Sequence, residues 1–559
     1  MKANMESYSF DHWPPDLAHR LTQPHTNLFY NVEVSAARYP DKPFLIFYDT
    51  PITFGRFKEQ AERIAGFLQR DCGVESGDRV LLYMQNSPQW VLAYYGILRA
   101  NAVVVPINPM CRKEELRHFA IDSGARVAFV GQELLEQVGP LKVSGDLDHL
   151  IVATYSDYLE VPTDLVVPSS IAEPRREFRP DSAVPWHAMM KLALRPGPLS
   201  SGLDDLCVMP YTSGTTGRPK GCMHTHRSVM NTTVGGCAWF GRNQDDCFLS
   251  VLPYFHVTGM VGSMNGPMYL GATVVLLPRW DSQTCAHLIE RHRVTVWQCI
   301  STMVVDFLAD PKVSERDLSS LRFIRGGGAA MPEAVAVRLM EVTGLRFVEG
   351  YGMSETISAT HINPPQRPKP QCLGIPVFDV DARILEPDSI KPVPKGEIGE
   401  IVISGPQLMQ GYWKDKASTE DAFVRIDGKR FLRTGDLGRV DEEGYFFMVD
   451  RLKRMINAAG FKVWPAEVES TMYGHPEVLE CCVVGVQDSR RGETVKAFVV
   501  RKPSQNSTLS SESLTEWLRS RLAAYKCPRI IEFVPSLPKS GSGKIQWRAL
   551  QEVASDMRP

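Results

Sequence analysis

Between about Asn27 and Gly350 the chain alternates amphipathic stretches with short apolar runs. Apolar residues that recur every three or four positions predict helices, whereas a short apolar run bounded by turn residues predicts a buried strand. Gly344 is well placed to end one such helix. The predicted helices include 53–69, 283–293 and 332–342, and the predicted strands include 79–83, 272–277 and 294–297. This βαβ alternation indicates mainly parallel sheets covered by helices.

The pattern changes beyond Pro370. Short β-type segments separated by Gly, Pro and Asp predict a small β-rich subdomain over residues 370–451. Residues 452–559 mix helical and strand patterns, which predicts a separate small α+β domain. Its predicted elements are the helices 466–473 and 511–524 and the strands 480–486, 495–501 and 530–534. Because residues 151–204 are rich in proline and polar side chains, we expect a surface excursion there.

The predicted fold is therefore α/β. A large N-terminal domain (1–451) of parallel βαβ-type sheets includes the β-subdomain, and a small α+β C-terminal domain (452–559) follows it.

Composition narrows the class of protein. Of the 559 residues, 43% are hydrophobic and 23% are charged, which is ordinary for a soluble globular protein. The 62 basic and 64 acidic side chains leave a net charge of −2, so no global positive field favours nucleic acid. An anionic ligand must therefore be held by a local site.

Targeting and cysteine patterns point to the cytoplasm. The first eight residues lack the apolar core of a signal peptide. The apolar stretch 90–107 is interrupted by Arg99 and Asn101, so we expect no membrane span. The 12 cysteines show no Cys-x-x-Cys spacing, which predicts buried free thiols in a reducing compartment.

Residues 211–221, Tyr-Thr-Ser-Gly-Thr-Thr-Gly-Arg-Pro-Lys-Gly, form the most informative segment. An apolar run precedes it and a helical pattern starts at His226, so the segment is predicted to link a strand to a helix. In that context backbone N–H groups can close on a phosphate while hydroxyls and a cation meet its oxygens. The segment is not a Walker A loop, because Pro219 stands where that loop needs its second glycine. No Gly-x-Gly-x-x-Gly follows a predicted strand, so a dinucleotide-binding fold has no direct support.

This segment resembles the phosphate loop of the adenylate-forming superfamily. That family comprises acyl- and aryl-CoA synthetases, the adenylation domains of nonribosomal synthetases, and firefly-type luciferases. Further segments resemble the family's motifs in the expected order, at 253–259, 326–331, 350–356, 433–437, 450–453, 460–468 and 540–545. These segments span almost the whole chain. Its overall look, including the proline-rich stretch before the phosphate loop, is similar above all to that of a medium- or long-chain fatty-acid:CoA ligase.

The resemblance implies a site for ATP and AMP. Tyr351 would stack on adenine, and Asp436 would accept the ribose hydroxyls. Mg²⁺ is the implied cofactor, held by Glu355 and Thr216. The implied catalytic residues are Lys544, Glu355 and Lys220. The implied nucleotide-binding residues are Thr212, Ser213, Gly214, Thr215, Thr216, Gly217, Lys220, Gly327, Gly328, Ala329, Gly350, Tyr351, Gly352, Met353, Ser354, Asp436, Arg451 and Lys544.

The resemblance also implies that the C-terminal domain is mobile and swings about Lys453. Lys544 would offset the repulsion between the attacking carboxylate and the α-phosphate, and would then withdraw so that a thiol can enter. The implied coenzyme A contacts are Gly460, Phe461 and Lys526.

An acyl pocket is implied beside the nucleotide. Its expected residues are His256, Val257, Gly259, Met260, Gly326 and Gly352. No cation is obvious in the pocket-forming segments. Gly259, Gly262 and Gly326–Gly328 are expected to leave space for an extended chain.

The expected function is ATP-dependent ligation of a carboxylic acid to CoA through an acyl-AMP, with medium- or long-chain fatty acids preferred. An aryl or small branched acid is the alternative. An amino-acid-activating domain is less favoured, because 255–259 lacks an aspartate to pair with an ammonium group. A luciferase-like oxidation stays open. The expected partners are the acid, ATP and CoA, without nucleic acid; weak peripheral membrane association and a homodimer stay open.

Overall fold

The computed structural model describes residues 11–178, 182–212, 218–328, 330–451, 454–458, 461–488, 492–502, 509–540 and 545–556. Helices and strands are numbered in chain order.

The α-helices of the described residues are α1 (Phe29–Arg38), α2 (Phe54–Arg70), α3 (Pro88–Arg99), α4 (Lys113–Ser123), α5 (Leu135–Val143), α6 (Ser169–Ala172), α7 (Trp186–Lys191), α8 (His226–Trp239), α9 (Val257–Met260), α10 (Gly266–Leu270), α11 (Ser282–Arg291), α12 (Ser301–Ala309), α13 (Glu333–Thr343), α14 (Lys416–Ala422), α15 (Pro465–Tyr473), α16 (Ser511–Arg519) and α17 (Trp547–Asp556). A π-helical turn (Val261–Asn265) joins α9 to α10, and short 3₁₀ turns lie at Gln132–Leu134, Tyr155–Tyr158, Pro311–Glu315 and Ser354–Thr356.

The strands of the same residues are β1 (Pro43–Phe47), β2 (Thr50–Thr53), β3 (Arg79–Tyr83), β4 (Val103–Pro106), β5 (Val127–Gly131), β6 (His149–Ala153), β7 (Val184–Pro185), β8 (Leu206–Val208), β9 (Tyr211–Thr212), β10 (Lys220–Gly221), β11 (His224–Thr225), β12 (Cys247–Ser250), β13 (Thr273–Leu276), β14 (Val296–Cys299), β15 (Phe323–Gly327), β16 (Phe347–Met353), β17 (Ser358–Ile362), β18 (Ile375–Pro376), β19 (Asp381–Leu385), β20 (Gly399–Ser404), β21 (Phe423–Ile426), β22 (Lys429–Val440), β23 (Phe446–Arg451), β24 (Ile456–Ala458), β25 (Phe461–Val463), β26 (Val478–Asp488), β27 (Gly492–Arg501) and β28 (Ile530–Phe533).

Two largely parallel sheets form the N-terminal part of the protein. The larger has strand order β18-β17-β16-β15-β14-β12-β13-β1-β2, and its strands from β16 to β1 are parallel. The second has the order β11-β8-β4-β3-β5-β6-β7 and is parallel apart from β11. These sheets confirm the predicted α/β fold.

The later part of the chain has the two predicted smaller units. Strands β19 to β23 form an antiparallel sheet in the order β19-β20-β22-β21, and β23 pairs with the later part of β22 on the same edge as β21. The C-terminal residues form a mixed sheet, β25-β24-β27-β26, in which β28 pairs in parallel with β27. Helices α15, α16 and α17 accompany it.

Helix α2 illustrates how the sequence fixes an element. Its buried residues recur at helical spacing, so one face packs into the core. The helix begins where the Thr53 hydroxyl accepts the N–H of Arg56 at 3.3 Å, which satisfies a backbone donor of the first turn. Helix α13 ends at Thr343 and, as predicted, is capped by Gly344, whose φ of +72° is the left-handed conformation that favours glycine.

Two predictions about local structure were wrong. Residues 151–204 are not only a surface excursion, because β6 is a buried strand of the second sheet and Tyr155, Trp186 and Met189 are core residues. The predicted helix 511–524 ends at Arg519. No helix within the described ranges is both long and apolar enough to cross a bilayer.

The carboxyl ends of β12, β14, β15 and β16 meet at one edge of the larger sheet, since these strands are parallel. Ligands of open parallel sheets bind outside that edge. The segments 253–259, 326–331 and 350–356, which are sequence motifs identified above, include or follow the carboxyl ends of β12, β15 and β16.

Candidate active site

The predicted phosphate loop is anchored by a short hairpin. Strands β9 and β10 pair antiparallel, with Thr212 opposite Lys220. This pairing brings the two ends of the loop together. The loop residues themselves, Ser213, Gly214, Thr215, Thr216 and Gly217, lie outside the described residues.

Lys220 emerges from this hairpin toward the β-subdomain. Its ammonium donates to the Ser418 hydroxyl and lies 3.6 Å from the Asp415 carboxylate. The same ammonium lies 5.3 Å from the centre of the Tyr412 ring, within cation–π range. Helix α14 and the turn before it therefore hold the cation at the end of the phosphate loop.

Glu355 follows β16 in the 3₁₀ turn and is 8% exposed. Its Oε1 accepts a hydrogen bond of 2.9 Å from the Tyr412 hydroxyl. Burial raises the pKa of Glu355 above its ordinary value, although the hydrogen bond from Tyr412 opposes that shift. Tyr412 thus contacts both Glu355 and Lys220.

Asp436 of β22 has two polar partners, one on each carboxylate oxygen. It is 2% exposed, and its Oδ2 accepts a hydrogen bond of 2.7 Å from the Tyr351 hydroxyl. Its Oδ1 lies 3.0 Å from Nε of Arg451, which the pairing of β22 with β23 sets directly opposite Asp436. Tyr351, Asp436 and Arg451 therefore form one connected polar cluster.

The glycines of the adjacent motifs allow strands to approach closely. A Cβ on Gly326 would lie 2.0 Å from the Cys299 carbonyl oxygen, and one on Gly352 would lie 1.7 Å from that of Ser358. A side chain at either position would collide with backbone, so these glycines are required for close backbone packing. Gly259 is similar, because its Cβ would lie 2.5 Å from the Pro253 carbonyl oxygen.

A cavity lies between α8, the π-helical turn and the strands β14 to β17. His256 and Thr258 line both this cavity and a smaller adjoining one, and Nδ1 of His256 accepts the N–H of Thr258 at 3.3 Å. Val257 and Met260, by contrast, are buried in the hydrophobic core and line neither cavity. The remaining predicted residues on these walls are Gly259, Gly326, Gly327, Gly328, Gly350, Tyr351 and Gly352.

Two arginines line the main cavity, Arg325 of β15 and Arg242, which follows α8. Nη2 of Arg325 donates to the Gly262 carbonyl at 2.9 Å and to Oε1 of Gln298 at 3.1 Å. The expectation that no cation faces the pocket was therefore wrong. The alternation of side chains along β15 turns Arg325 toward the cavity, and a single sequence does not reveal which face of a fully buried strand borders a cavity.

The remaining predicted residues are placed as follows. Met353 ends β16, and the Ser354 carbonyl lies 2.7 Å from Nε2 of His224. Lys526 pairs with both oxygens of the Glu467 carboxylate at 2.6 and 2.8 Å. The residues Ala329, Lys453, Gly460 and Lys544 and the side chain of Phe461 lie outside the described residues.

Sequence reasoning missed several residues of the site. Tyr412 is distant in sequence from both Glu355 and Lys220, and no pattern around it indicates the contact. Gln407 lines the cavity, and its buried Oε1 has no hydrogen-bond partner among the described residues. Arg325 directly precedes the glycine run 326–328. Its position next to a predicted pocket segment could have indicated that it belongs to the site.

Comparison with known proteins identifies the family. The model of the AMP-binding enzyme family matches residues 32–413, and that of the AMP-binding enzyme C-terminal domain matches residues 467–544. The chain belongs to the AMP-binding enzyme family. It is 36% identical over 553 residues to a long-chain-fatty-acid–CoA ligase of Bacillus subtilis strain 168, with 97% of each chain covered.

Two further likenesses support this assignment. The chain is 37% identical over 503 residues to a feruloyl-CoA synthase of an Amycolatopsis species, covering 89% of this chain and 92% of the relative. Its structure resembles that of the anthranilate CoA ligase AuaEII in complex with anthranoyl-AMP, with a TM-score of 0.84 and 29% identity over 95% of this chain and 98% of that one.

The predicted superfamily and enzyme class are thereby confirmed. The protein is an AMP-forming acyl-CoA synthetase, and ATP and CoA are its co-substrates.

Proposed function

We propose that this enzyme activates a carboxylic acid with an extended apolar body. Medium- and long-chain fatty acids are the first class to test, and aryl acids are the alternative. The observation that carries this proposal is the cavity whose wall includes 326–328 and 350–352, because the same segments belong to the predicted nucleotide site. An acid that fills the cavity would present its carboxylate to the α-phosphate of ATP.

The relatives support both acid classes. The Bacillus protein is named for long-chain fatty acids and the Amycolatopsis protein for ferulate, at nearly equal identity to this chain. Because these two identities are nearly equal, they favour acid:CoA ligation but do not distinguish a fatty acid from an aryl acid.

The proposed reaction has two steps. A carboxylate oxygen attacks the α-phosphorus, the bond to the bridging oxygen breaks, and pyrophosphate leaves an acyl-AMP. The thiol sulfur of CoA then attacks the acyl carbon, its proton is released, and AMP leaves with the electrons of the broken acyl–oxygen bond. Adenylation is needed because a free carboxylate has no adequate leaving group.

Tyr351, Asp436 and Arg451 are proposed to hold the nucleoside. The ring of Tyr351 offers adenine a flat face. An ionised carboxylate has about four acceptor positions, so Asp436 can keep its contacts to Tyr351 and Arg451 and still accept ribose hydroxyls. Gln407, with its unpartnered amide oxygen, offers a further acceptor on the same wall.

Glu355 fits Mg²⁺ by its chemistry. It is a buried carboxylate whose hydrogen-bond partner Tyr412 also contacts Lys220, and Mg²⁺ is bound in nucleotide sites by one or two carboxylates together with phosphate oxygens. We propose that Glu355 and Thr216 hold the ion, which would supply charge neutralisation to the phosphates when bound. Tyr412 orients the Glu355 carboxylate through its hydrogen bond.

Cations complete the proposed phosphate site. Lys220 is held by Asp415 and Ser418, and we assign it to the departing pyrophosphate. Lys544 is assigned, through the family resemblance, to the meeting point of carboxylate and α-phosphate, where an ammonium offsets the repulsion of two anions.

The second half-reaction is proposed to need the C-terminal domain in a second position. With a boundary at residues 451/452, the domain would turn about Lys453, withdraw Lys544 and bring Gly460 and Phe461 to the thiol path. Lys526 would then meet an anionic part of CoA, exchanging its present partner Glu467 for that anion.

A cytoplasmic location, a homodimer and weak peripheral membrane association also belong to this proposal. Light scattering after gel filtration measures the dimer, and flotation with anionic vesicles measures the association.

The experiment that tests the proposed function is an acid panel. Short- to long-chain fatty acids and aryl acids are supplied with MgATP, and AMP release is measured with and without CoA. The proposal expects CoA-dependent AMP release and a matching acyl-CoA for at least one of these acids. AMP release without any acyl-CoA product would overturn it in favour of adenylation alone, and oxygen uptake with the acyl-AMP would favour a luciferase-like oxidation.

A further inference from the structure

The acyl cavity has a cationic far end. Its lining follows one face of α8 from Asn231 to Phe240, a rise of about 14 Å at 1.5 Å per residue. The first turn of α8 lies near the predicted nucleotide-binding segment 350–356. Nε2 of His224, just before the helix, lies 2.7 Å from the Ser354 carbonyl oxygen. Phe240, just after the helix, lies against Arg325, with 4.6 Å from the guanidinium carbon to the ring centre.

Arg325 therefore lies in the part of the cavity that is remote from the predicted nucleotide site. It precedes Gly327, the last residue of β15, by two positions, which corresponds to about 7 Å along a strand. Arg242 and Phe248 line the cavity beyond it. These residues lie toward the amino ends of the strands, opposite the edge where the phosphates are expected.

The guanidinium of Arg325 is oriented but incompletely satisfied. Gly262 and Gln298 accept hydrogen bonds from Nη2 alone. Its Nε is buried and has no acceptor among the described residues. A buried donor without an acceptor is costly, so this geometry favours a ligand that supplies one.

The charges around Arg325 do not balance. In the described part of the chain no carboxylate comes within 4.0 Å of Arg325. Asp246 is the carboxylate whose charge acts on Arg325 to raise its pKa. Asp246 is already engaged: its Oδ1 lies 3.4 Å from Arg242 and accepts the Thr295 hydroxyl at 2.8 Å, and its Oδ2 accepts the N–H of Asn243 at 3.1 Å. Asp246 is thus paired with Arg242, and Arg325 has no carboxylate partner among the described residues.

Burial lowers the pKa of Arg325 to about 10, so the side chain is still a cation at neutral pH. An uncompensated buried charge is unfavourable. A protein that retains one at the wall of a ligand cavity gains from a ligand of opposite charge.

We propose that the far end of the cavity is a carboxylate-binding subsite, and that the acid activated by this enzyme carries a second carboxylate opposite the one that reacts. This inference rests on the proposed function, since it names the far end of the same substrate. The planar guanidinium matches a carboxylate in shape and charge. Arg325 is the specificity-determining residue, and Arg242 adds to the positive field.

The subsite does not fix whether the body between the two carboxylates is a polymethylene chain or an aromatic ring. The test therefore uses matched pairs of both kinds. Monocarboxylic and α,ω-dicarboxylic acids of six to fourteen carbons are compared at equal carbon number, and cinnamate is compared with 4-carboxycinnamate. The measured quantity is the ratio of kcat/KM for the diacid to that for the monoacid, from AMP release.

We expect this ratio to exceed about ten at the best length for the wild type, since a site built for a polar group discriminates strongly against its absence. Arg325→Met should lower the ratio by about 30-fold or more, because a carboxylate would then be buried without its partner. Arg325→Lys should give an intermediate ratio, which also guards against loss of folding in the Met variant. Arg322→Met, at an exposed arginine just before β15, is the matched control.

Equal loss of activity on both acids in Arg325→Met, with an unchanged ratio, would overturn the subsite. A wild-type preference for the monoacid at every length would do the same. A second measurement needs no turnover: decanedioate should raise the melting temperature of the wild type and leave that of Arg325→Met unchanged. Such a shift without AMP release would keep the subsite and overturn the proposed function, whereas turnover without any diacid preference would overturn the subsite alone.

Discussion

The hydroxyl of Tyr351 donates a hydrogen bond of 2.7 Å to Oδ2 of Asp436, across 85 residues of sequence. This bond joins the carboxyl end of β16 in the larger sheet to β22 in the β-subdomain. The residue expected to stack on adenine therefore also positions the carboxylate expected to bind ribose.

Tyr351→Phe should weaken nucleotide binding. The ring stays, but a buried carboxylate oxygen loses its donor, at a cost of about 1–3 kcal/mol. We expect the KM for MgATP in acid-dependent ATP–pyrophosphate exchange to rise about tenfold, with kcat less affected. Tyr30→Phe removes an exposed hydroxyl and is the control. An unchanged KM for MgATP would show that this bond does not support the nucleotide.

Glu355→Gln should change the dependence of stability on pH. Because burial raises the pKa of Glu355 in the folded protein, the unfolded chain releases this proton first as the pH rises. The wild type therefore loses stability between the ordinary glutamate pKa, about 4.3, and the raised one, and stays at the lower level above that window. The variant has no such proton to lose.

We therefore expect Glu355→Gln to match the wild type in melting temperature near pH 4 and to exceed it at pH 8, while losing pyrophosphate exchange. The exposed Glu136→Gln variant controls for loss of a charge. A difference in melting temperature that is the same at both pH values would contradict a raised pKa at Glu355.

Gly236→Leu should shorten the acids that the enzyme accepts. Gly236 lines the cavity on α8, and a Cβ built there meets no atom within 4 Å, so a leucine would project into the cavity. We expect kcat/KM for the longest accepted acid to fall about tenfold or more, and that for short acids to change little. Gly139→Leu, at a helical glycine that also has open space around it, is the control. A uniform loss at every length would point to a general disturbance of α8.

Much of the fold could be predicted from the sequence because its cues are local. Helix α2 has an apolar face at helical spacing and Thr53 as its cap, and α13 has Gly344 at its end, so both were predicted to within about one residue. Helix α17 was missed, although its buried residues Leu550 and Ala554 lie four positions apart, which is the spacing of one helix face, and pack against β26.

The site was predictable where a motif keeps its residues together. Glu355 follows its strand at a fixed distance, as the motif requires. Tyr412 and Arg325 depend on contacts between distant segments and on which face of a buried strand borders a cavity, and no single sequence carries that information.

Lys544→Ala should separate the two half-reactions. Without this ammonium the repulsion between carboxylate and α-phosphate is not offset, so acid-dependent ATP–pyrophosphate exchange should fall by about 100-fold or more. Thioester formation from supplied acyl-AMP and CoA should persist. Exchange at a near wild-type rate would show that Lys544 is not the adenylation lysine.

Gly460→Leu is the complementary variant. A side chain at this position should obstruct the proposed thiol path, so exchange should be retained while thioester formation slows. Equal loss of both steps would argue against that path.

Oxygen transfer from the acid to AMP tests the central claim most directly. The acid is supplied with ¹⁸O at both carboxylate oxygens. The products of CoA-dependent turnover are separated, and their masses are measured by mass spectrometry. Attack of the carboxylate on the α-phosphorus followed by thiolysis at the acyl carbon predicts one ¹⁸O in AMP, one in the acyl-CoA and none in pyrophosphate. Label in pyrophosphate or phosphate, or unlabelled AMP, would contradict an acyl-adenylate intermediate.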